Sequence, residues 1–141
     1  MTAPARSRRW TYSLAAEFGH KNITDDVARL VAESGVRLGA VVVSLAGSTG
    51  AITTIEYETG ALADLRRALD QIAPPNENYA HNAAYNDGNG FSHVRSALLK
   101  TSVAIPVIDG KLQVGTWQQI VVINLDNRQR EREVVGVVVG E

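Results

Sequence analysis

The C-terminal part of the chain, from Thr101 onward, contains only segments that are typical of β-strands. Strand patterns cover 101–107 and 111–114, on either side of Asp109-Gly110, a pair that strongly favours a type I′ hairpin turn. Further strand patterns cover 117–125 and 133–139, with the turn residues Asp126-Asn127 after the first of them. Four strands joined by short turns predict a mainly antiparallel sheet.

Two helix patterns precede this region. Thr24 can cap the first helix, whose apolar residues recur at helical spacing until Gly35 ends it. The second helix is predicted over 61–72 and is ended by Pro74-Pro75. Earlier strand patterns cover 10–17, 36–45 and 51–57. With no linker in the chain, we expect one compact α+β domain over 1–141, a largely antiparallel sheet or sandwich with two main helices, and a flexible tail over 1–9.

The composition excludes several classes of function. The 141 residues include no cysteine, which rules out disulfides, Cys-ligated zinc and thiol catalysis. A net charge of −1 argues against a nucleic-acid partner, since such binders normally carry a basic surplus. No apolar stretch approaches the length of a membrane span. We therefore expect a soluble cytoplasmic protein with no membrane partner and no organic cofactor.

The three histidines restrict the chemistry further. His20 lies in a predicted surface turn, whereas His81 and His93 flank a polar segment over 76–92 that has no periodicity and is predicted to be a long loop. Two imidazoles with the carboxylate of Asp87 could bind a divalent metal such as Mg or Zn, or exchange protons. The alternative is that each histidine only makes hydrogen bonds in a surface loop. Two amides of this segment are candidate ligand-binding residues, Asn82 and Asn89.

A glycine-flanked loop, Gly47-Ser48-Thr49-Gly50, follows the predicted strand over 36–45. Its backbone N–H groups and hydroxyls could bind a phosphate or another oxyanion. The alternative is a tight connection between two strands.

A short helical turn is predicted over 93–100, with Val94, Ala97 and Leu98 facing inward. Arg95 lies two residues after His93 and could hold a phosphate through two hydrogen bonds. The alternative is that Arg95 is a solvated charge on the helix surface.

Three other features have both a functional and a structural interpretation. Glu56 and Glu58 are predicted to share one face of a strand, where they could share acid–base work or simply face solvent. Trp117 could anchor the core or line a pocket for a heteroaromatic ring. Arginines and acids alternate over 128–133, which favours a solvated rim of ion pairs or a subunit contact. The arginines are Arg128, Arg130 and Arg132.

Taken in order, several segments resemble one family. They are Gly47-Ser48-Thr49-Gly50-Ala51-Ile52-Thr53-Thr54-Ile55-Glu56, Tyr79-Ala80-His81-Asn82, Asp87-Gly88-Asn89-Gly90-Phe91-Ser92-His93-Val94-Arg95, Ile105-Pro106-Val107, Gly115-Thr116-Trp117-Gln118-Gln119-Ile120 and Gly140-Glu141. The set is similar to the YjbQ-like family, often labelled secondary thiamine-phosphate synthase. The Gly-Ser-Thr and Asp-Gly-Asn-Gly motifs resemble a subgroup of it. Many members have a histidine where this chain has Gly47, and some have one where it has Phe91.

The resemblance implies a compact α+β domain that assembles as a homotrimer, with sites near subunit boundaries. It also implies an enzyme that joins a pyrimidine diphosphate to a thiazole phosphate and releases pyrophosphate. The expected catalytic residues are His81, His93, Glu56 and Asp87, and the first two are possible metal ligands. The residues expected to bind a small phosphorylated ligand are Gly47, Ser48, Thr49, Asn82, Asn89, Arg95 and Trp117. Two alternatives are a non-catalytic trimeric protein that binds a metabolite or metal, and a metal-dependent hydrolase.

Overall fold

The structure, a computed structural model, describes residues 6–141. Its elements are β1 Ser7–Leu14, β2 Gly19–Asn22, α1 Thr24–Ser34, β3 Leu38–Leu45, β4 Gly50–Ile55, α2 Thr59–Ile72, α3 Ala80–Tyr85, α4 Gly90–Leu99, β5 Ser102–Ile108, β6 Lys111–Leu112, β7 Gln119–Asn124 and β8 Arg130–Gly140. Within the expected tail over 1–9, residues 1–5 lie outside the described part. Residues 7–9 instead begin β1, because they pair with 135–137 of β8.

The strands form two sheets in which every pairing is antiparallel. One sheet has the strand order β1-β8-β3-β5-β6, and the other has the order β2-β7-β4. This architecture confirms the predicted α+β class. However, β7 and β8 lie in different sheets, so the expectation that one simple turn joins them as neighbours is wrong.

The core has two parts, one on each face of the three-stranded sheet. On one face, Ile120 and Val122 of β7 pack with α1 and the inner face of the five-stranded sheet. On the other face, Val121 and Ile123 pack against α2. Strand β7 is therefore buried on both sides, which explains its continuous run of branched apolar residues.

Local signals in the sequence correctly gave two chain reversals. Gly35 ends α1 in the left-handed conformation with φ 71°, as expected of a helix-terminating glycine. Asp109 and Gly110 both have positive φ, 54° and 74°, as a type I′ turn requires. Thr24 is the first residue of α1 rather than its cap, and its hydroxyl accepts a hydrogen bond from the backbone N–H of Ile120.

The segment over 76–92 is not the long loop that its composition predicts. It contains all of α3 and the first turn of α4. Helix α3 has no buried residue, so no apolar periodicity marks it in the sequence. The inward face predicted for α4 is also wrong, because Val94 and Leu98 are exposed whereas Arg95 and Ser96 are buried.

No helix within residues 6–141 has the length and apolar character needed to cross a membrane.

Candidate functional site

His81 on α3 and His93 on α4 lie against each other. Their ring centroids are 4.4 Å apart with the rings tilted by 55°, and the ring of Tyr85 stacks on His81 at 4.9 Å. Asn82 holds the two helices together, because its side-chain oxygen accepts a hydrogen bond of 2.9 Å from the backbone N–H of Gly90. The two histidines that flank the polar segment are thus direct neighbours.

Each imidazole has one nitrogen fixed by an acceptor. His81 Nε2 lies 3.0 Å from Asp87 Oδ2, and His93 Nδ1 lies 3.2 Å from the backbone oxygen of Ser48. A carboxylate and a carbonyl can only accept, so both of these ring nitrogens carry the proton. In the neutral rings, Nδ1 of His81 and Nε2 of His93 are therefore left as bases or metal ligands.

Asp87 is kept in its ionised form. The hydrogen bond from His81 is the largest influence and lowers the pKa of Asp87; desolvation opposes it, and the hydrogen bond from the backbone N–H of Asn89 helps to keep the pKa low. A carboxylate behind an imidazole orients the ring and stabilises its protonated form. The carboxylate of Asp87 therefore fixes the orientation of the His81 ring and keeps the proton of the neutral ring on Nε2.

A cleft of about 310 Å³ opens beside His93. Gly47 and Ser48 form one wall of the cleft, and Lys100 and Thr101 line another part. None of the residues that line it is acidic, and Lys100 brings a positive charge. The surroundings therefore favour an anionic ligand.

A second cleft, of about 350 Å³, lies on the side of Asp87. Arg128 and Arg130 line it together with Asn89 and Asn127. Asp87 contacts His81, and His81 contacts His93, which lines the first cleft. The pair of histidines thus connects two clefts that each carry basic side chains.

The loops around the histidines are held by a buried carboxylate, Asp126. Its Oδ2 accepts hydrogen bonds from the hydroxyl of Thr49 at 2.9 Å and from the side-chain amide of Asn89 at 3.2 Å. Both donors are themselves buried. The candidate binding residues Thr49 and Asn89 therefore position their loops through contacts that face the protein interior.

The charge of Asp126 is stabilised inside the fold. Burial acts to raise the pKa of this carboxyl, but hydrogen bonds from Thr49, Asn89 and the backbone N–H of Arg128, together with the charge of Arg130, outweigh burial and lower it. Asp126 is therefore an ionised group at neutral pH.

Arg132 departs from the prediction of a solvated rim. Only 7% of this residue is exposed. Its Nε donates to Asn124 Oδ1 at 3.1 Å, and its Nη2 donates to the backbone oxygen of Thr49 at 2.8 Å. Arg128 precedes β8, whereas Arg130 and Arg132 do share one face of the strand. That face turns into the protein at Arg132, because Val134 and Val138 on the same face pack in the core.

Arg95 is directed away from the pair of histidines. Its side chain is buried, its Nε donates to the backbone oxygen of Ala73, and its Nη2 donates to Asp70, both at 2.9 Å. The guanidinium also lies over the ring of Phe91. In this arrangement Arg95 fixes the end of α2 against α4.

Glu56 and Trp117 line a different cleft, of about 380 Å³. Glu56 and Glu58 were predicted to lie in a strand, but this prediction is wrong, because β4 ends at Ile55. Glu58 instead caps α2, since its carboxylate accepts from the backbone N–H of Ala61 at 2.8 Å. Trp117 is 73% exposed, so it lines the cleft and does not anchor the core.

His20 lies near this third cleft and is not in a surface turn. It is part of β2, its Nδ1 lies 3.0 Å from the hydroxyl of Tyr57, and its ring contacts Phe18 edge-on. Burial lowers the pKa of His20. The residue belongs to an aromatic cluster away from the other two histidines.

The residues of one chain fit a resident metal poorly. Among residues 6–141, no three His, Cys, Asp or Glu side chains are grouped so that they could hold an ion. His81 and His93 offer one free nitrogen each, and Asp87 already accepts from His81. A stable zinc site needs three or four protein ligands, more than these residues provide.

Comparison with known proteins identifies the family. The profile of the family described as UPF0047 protein YjbQ-like matches residues 9–141. The chain belongs to the YjbQ-like UPF0047 family. A UPF0047 protein of Methanothermobacter thermautotrophicus is 38% identical over 116 residues, which cover 82% of this chain and 80% of that protein. A UPF0047 protein of Archaeoglobus fulgidus is 37% identical over 114 residues, covering 81% and 86%.

Solved structures support the same assignment. A YjbQ-like protein of Sulfolobus solfataricus superimposes with a TM-score of 0.90 at 32% identity, covering 96% of both chains. A protein of Aeropyrum pernix gives a TM-score of 0.88 at 26% identity, covering 97% of this chain and 100% of that one. The YjbQ-like fold described above therefore holds over nearly the whole chain.

Two buried residues of this YjbQ-like site, Asp126 and Arg132, are not evident from the sequence motifs. Their signal is the strand alternation over 128–133, which places Arg130 and Arg132 on one face of β8. Asn124 and Asp126 shortly before them offer acceptors for both guanidinium groups. Such spacing suggests a polar cluster but does not reveal that the cluster is buried.

Proposed function

We propose that this protein is an enzyme that acts on a small phosphorylated metabolite at the His81–His93 pair. One observation carries the proposal. The ring of His93, whose Nε2 is free, lines a cleft together with a lysine, a glycine and hydroxyl groups, and no carboxylate lines that cleft. A cleft of this size lies at the small end of ligand sites. The phosphoryl end of the metabolite binds beside Gly47, Ser48 and Lys100, and the reacting end faces the imidazoles.

The two histidines have separate roles in this proposal. His93 is fixed by the Ser48 carbonyl so that its Nε2 is unprotonated, which suits a general base. His81 is backed by the carboxylate of Asp87, which stabilises an imidazolium and suits a general acid. A pair in which one ring gives and the other takes a proton can serve a group transfer from a phosphorylated substrate.

The specific activity we propose is thiamine-phosphate synthesis, in which a pyrimidine diphosphate is joined to a thiazole phosphate and pyrophosphate leaves. Both substrates are anionic, and the histidines connect two clefts that each carry basic residues. We include a divalent ion, Mg or Zn, in the proposal only when such a substrate is bound. The phosphate oxygens of the substrate then supply the metal-coordinating atoms that one chain lacks.

The test is pyrophosphate release by the purified protein with both substrates. We expect His81→Ala and His93→Ala to reduce the rate by at least about 100-fold, the usual effect of losing a general acid or base. His20→Ala is the matched control, because it removes a histidine that lies in the aromatic cluster instead, and its rate should stay near that of the wild type. Equal rates in all four proteins would place the reaction elsewhere.

A second candidate function is a non-catalytic trimeric protein that binds a metabolite or metal. It is favoured by Gly47 and Phe91, which stand where many or some family members have a histidine. Thermal shifts with thiamine precursors and Mg²⁺, without pyrophosphate release, would support it. A third candidate, a metal-dependent hydrolase, requires phosphatase or esterase turnover that a chelator abolishes.

We also propose that the chain assembles as a homotrimer through the outer face of its five-stranded sheet. Three adjacent strands of that face carry apolar residues that are directly paired across the sheet: Val42 with Val137 and Ala104, Ala40 with Val139 and Pro106, and Leu38 with Ile108. All five of the large apolar residues in this set are exposed. A continuous exposed apolar face on a sheet is typical of a protein interface.

The matched variants are Val42→Glu on this face and Val94→Glu on α4, since the two valines are 40% and 39% exposed. We expect Val42→Glu to release monomers in sedimentation or light-scattering measurements and Val94→Glu to leave the mass of a trimer. A monomeric wild type would refute the trimer, and a trimeric Val42→Glu would refute this face.

A further inference from the structure

The guanidinium of Arg132 is buried but only partly bonded. Nε and Nη2 donate to Asn124 and Thr49, whereas Nη1 has no hydrogen-bond partner among residues 6–141. Within the same range no carboxylate lies in salt-bridge contact with this guanidinium. A buried charge is costly unless it is paired, so Arg132 is a cation that lacks a direct counter-charge.

The open nitrogen lies next to Gly47. A Cβ atom on residue 47 would be 3.2 Å from Arg132 Nη1, and Gly47 itself is exposed and lines the cleft beside His93. Residue 47 also has a φ of 147°, which side chains rarely tolerate. Arg132 does not itself line the cleft, but the missing side chain at residue 47 leaves space beside Nη1, next to a residue that does line it.

Two further donors lie at the same place. The backbone N–H groups of Gly47 and Ser48 have no backbone acceptor among residues 6–141. Together with Arg132 Nη1 they offer hydrogen bonds that a tetrahedral oxyanion can accept in common. Asp126 attracts Arg132 through its charge without contacting it, and this single negative charge is shared with Arg130, so the two guanidinium groups keep a net positive charge.

We propose that Arg132 is the anion anchor of the cleft: its Nη1 donates to a phosphoryl oxygen of the ligand, and Gly47 is glycine so that the oxygen can reach it. This inference rests on the proposed function, because it assigns the residue that selects a phosphorylated ligand. It also gives the cleft a second cation beside Lys100 to neutralise the charge of its ligand, in a described chain that has no complete metal site.

Calorimetric titration tests the anchor with two probes, inorganic phosphate and phenyl phosphate. Binding of both indicates a site for the phosphoryl group itself, and binding of phenyl phosphate alone indicates that the organic part is also needed. We expect Arg132→Lys and Gly47→Ala each to weaken binding by at least about tenfold, as for loss of a charge-assisted hydrogen bond. Arg67→Gln removes an exposed arginine of α2 that lines neither cleft, and it should change affinity by less than about twofold. Arg128→Gln tests the second cleft as the alternative location of the anion.

The outcomes separate the anchor from the proposed function. If the wild type binds either probe and both site variants bind equally well, the anchor is wrong while the phosphate cleft stands. If the wild type binds neither probe, the phosphorylated substrate class is wrong as well. Loss of binding in Arg128→Gln alone would assign the anion to the second cleft.

A measurement on the wild type covers the case in which Arg132 variants do not fold. In nitrogen-detected NMR, saturating phosphate should shift the Nη1 resonance of Arg132 more than its Nη2 resonance, because Nη2 keeps its bonds to Thr49 and Asn124. An unchanged Nη1 resonance at saturation would overturn the proposal.

Discussion

Replacing Asp126 with alanine should destabilise the protein strongly, because the carboxylate joins both loops of the candidate site. Its Oδ2 accepts from Thr49 and Asn89, and its Oδ1 accepts from the backbone N–H of Arg128 at 3.0 Å. Only 1% of Asp126 is exposed, so water cannot take over these bonds without opening the fold.

The expected loss of unfolding free energy is about 3–5 kcal/mol. A buried donor that loses its acceptor costs about 1–3 kcal/mol, and Asp126→Ala leaves two such side-chain donors, Thr49 and Asn89. The ion pair with Arg130 adds less than about 1 kcal/mol, because the Arg130 side chain is 40% exposed and solvent screens its charge. Removing the negative charge also leaves the buried guanidinium of Arg132 without its nearest acid, which supports the upper part of the range.

Urea denaturation followed by circular dichroism measures this loss. Wild type, Asp126→Ala and Asp64→Ala are compared at one protein concentration, because subunit association would add a concentration-dependent contribution. Asp64 is an exposed acid on α2 that pairs with Arg67, so its variant should stay within about 0.5 kcal/mol of the wild type. A loss below about 1 kcal/mol for Asp126→Ala would show that the buried network does not hold the loops.

The pH dependence of the same network can be predicted in sign. Because the pKa of Asp126 is lowered in the folded state, its ionised form adds stability above the ordinary carboxyl pKa, and this is lost as the pH falls through the folded value. The gap in unfolding free energy between wild type and Asp126→Asn should therefore be full near pH 7 and shrink below about pH 4. A gap that stays constant down to about pH 2 would contradict the assignment.

Two further substitutions test how α3 and α4 are held. Arg95→Met should lower the unfolding free energy by about 1–3 kcal/mol, because the carbonyl of Ala73 loses its donor and Asp70 loses its ion pair. A melting temperature equal to that of the wild type would contradict this prediction. Gly90→Ala should lower the unfolding free energy by a similar amount and weaken the contact between α3 and α4, since the new Cβ would lie 2.4 Å from the Cβ of Tyr79. Unchanged NMR resonances of His81 and His93 would show that the helices had not moved.

The parts of the fold that the sequence predicts well are those set by local chemistry. Gly35 ends α1, and Asp109-Gly110 forms its hairpin, because the left-handed backbone at these positions admits few residue types. The assignment of strands to sheets has no such local signal. The residues between β7 and β8 include turn formers, but the chain changes sheets there, where Asn124 and Asp126 make hydrogen bonds to residues far away in the sequence.

The helices around the site were harder to predict because they do not follow the hydrophobic pattern. Helix α3 has no buried residue, and polar and aromatic contacts hold it, among them the bond between Asn82 and Gly90 and the contact of His81 with His93. Helix α4 turns a polar face inward, where Ser96 donates to the backbone oxygen of Gly50 and Arg95 reaches the end of α2. A prediction that places the apolar residues of α4 in the interior therefore assigns the wrong face of the helix to the core.

The candidate residues behave differently for the same reason. His81, His93 and Asp87 were grouped from their positions around one segment, and the structure brings them into contact because α3 and α4 fold back on each other. Glu56 and Trp117 come from other parts of the chain and line another cleft. Closeness in the sequence predicts which residues of one segment lie near each other. It does not predict that β4, α4 and the connection between β7 and β8 meet in space.

Stability and chemistry are carried by different residues of this site, which makes each role separable. Hydrogen bonds to Asp126 and Arg132 position the loops over 47–50 and 87–89. Asp126 and Arg132 lie where the chain passes from β7 in one sheet to β8 in the other. Substitutions there must change folding and ligand binding together. His81 and His93 are half-buried and contribute little to either core, so their replacement should change proton transfer while the fold remains. Activity lost without stability therefore identifies the reacting groups, whereas a joint loss identifies the scaffold that orients them.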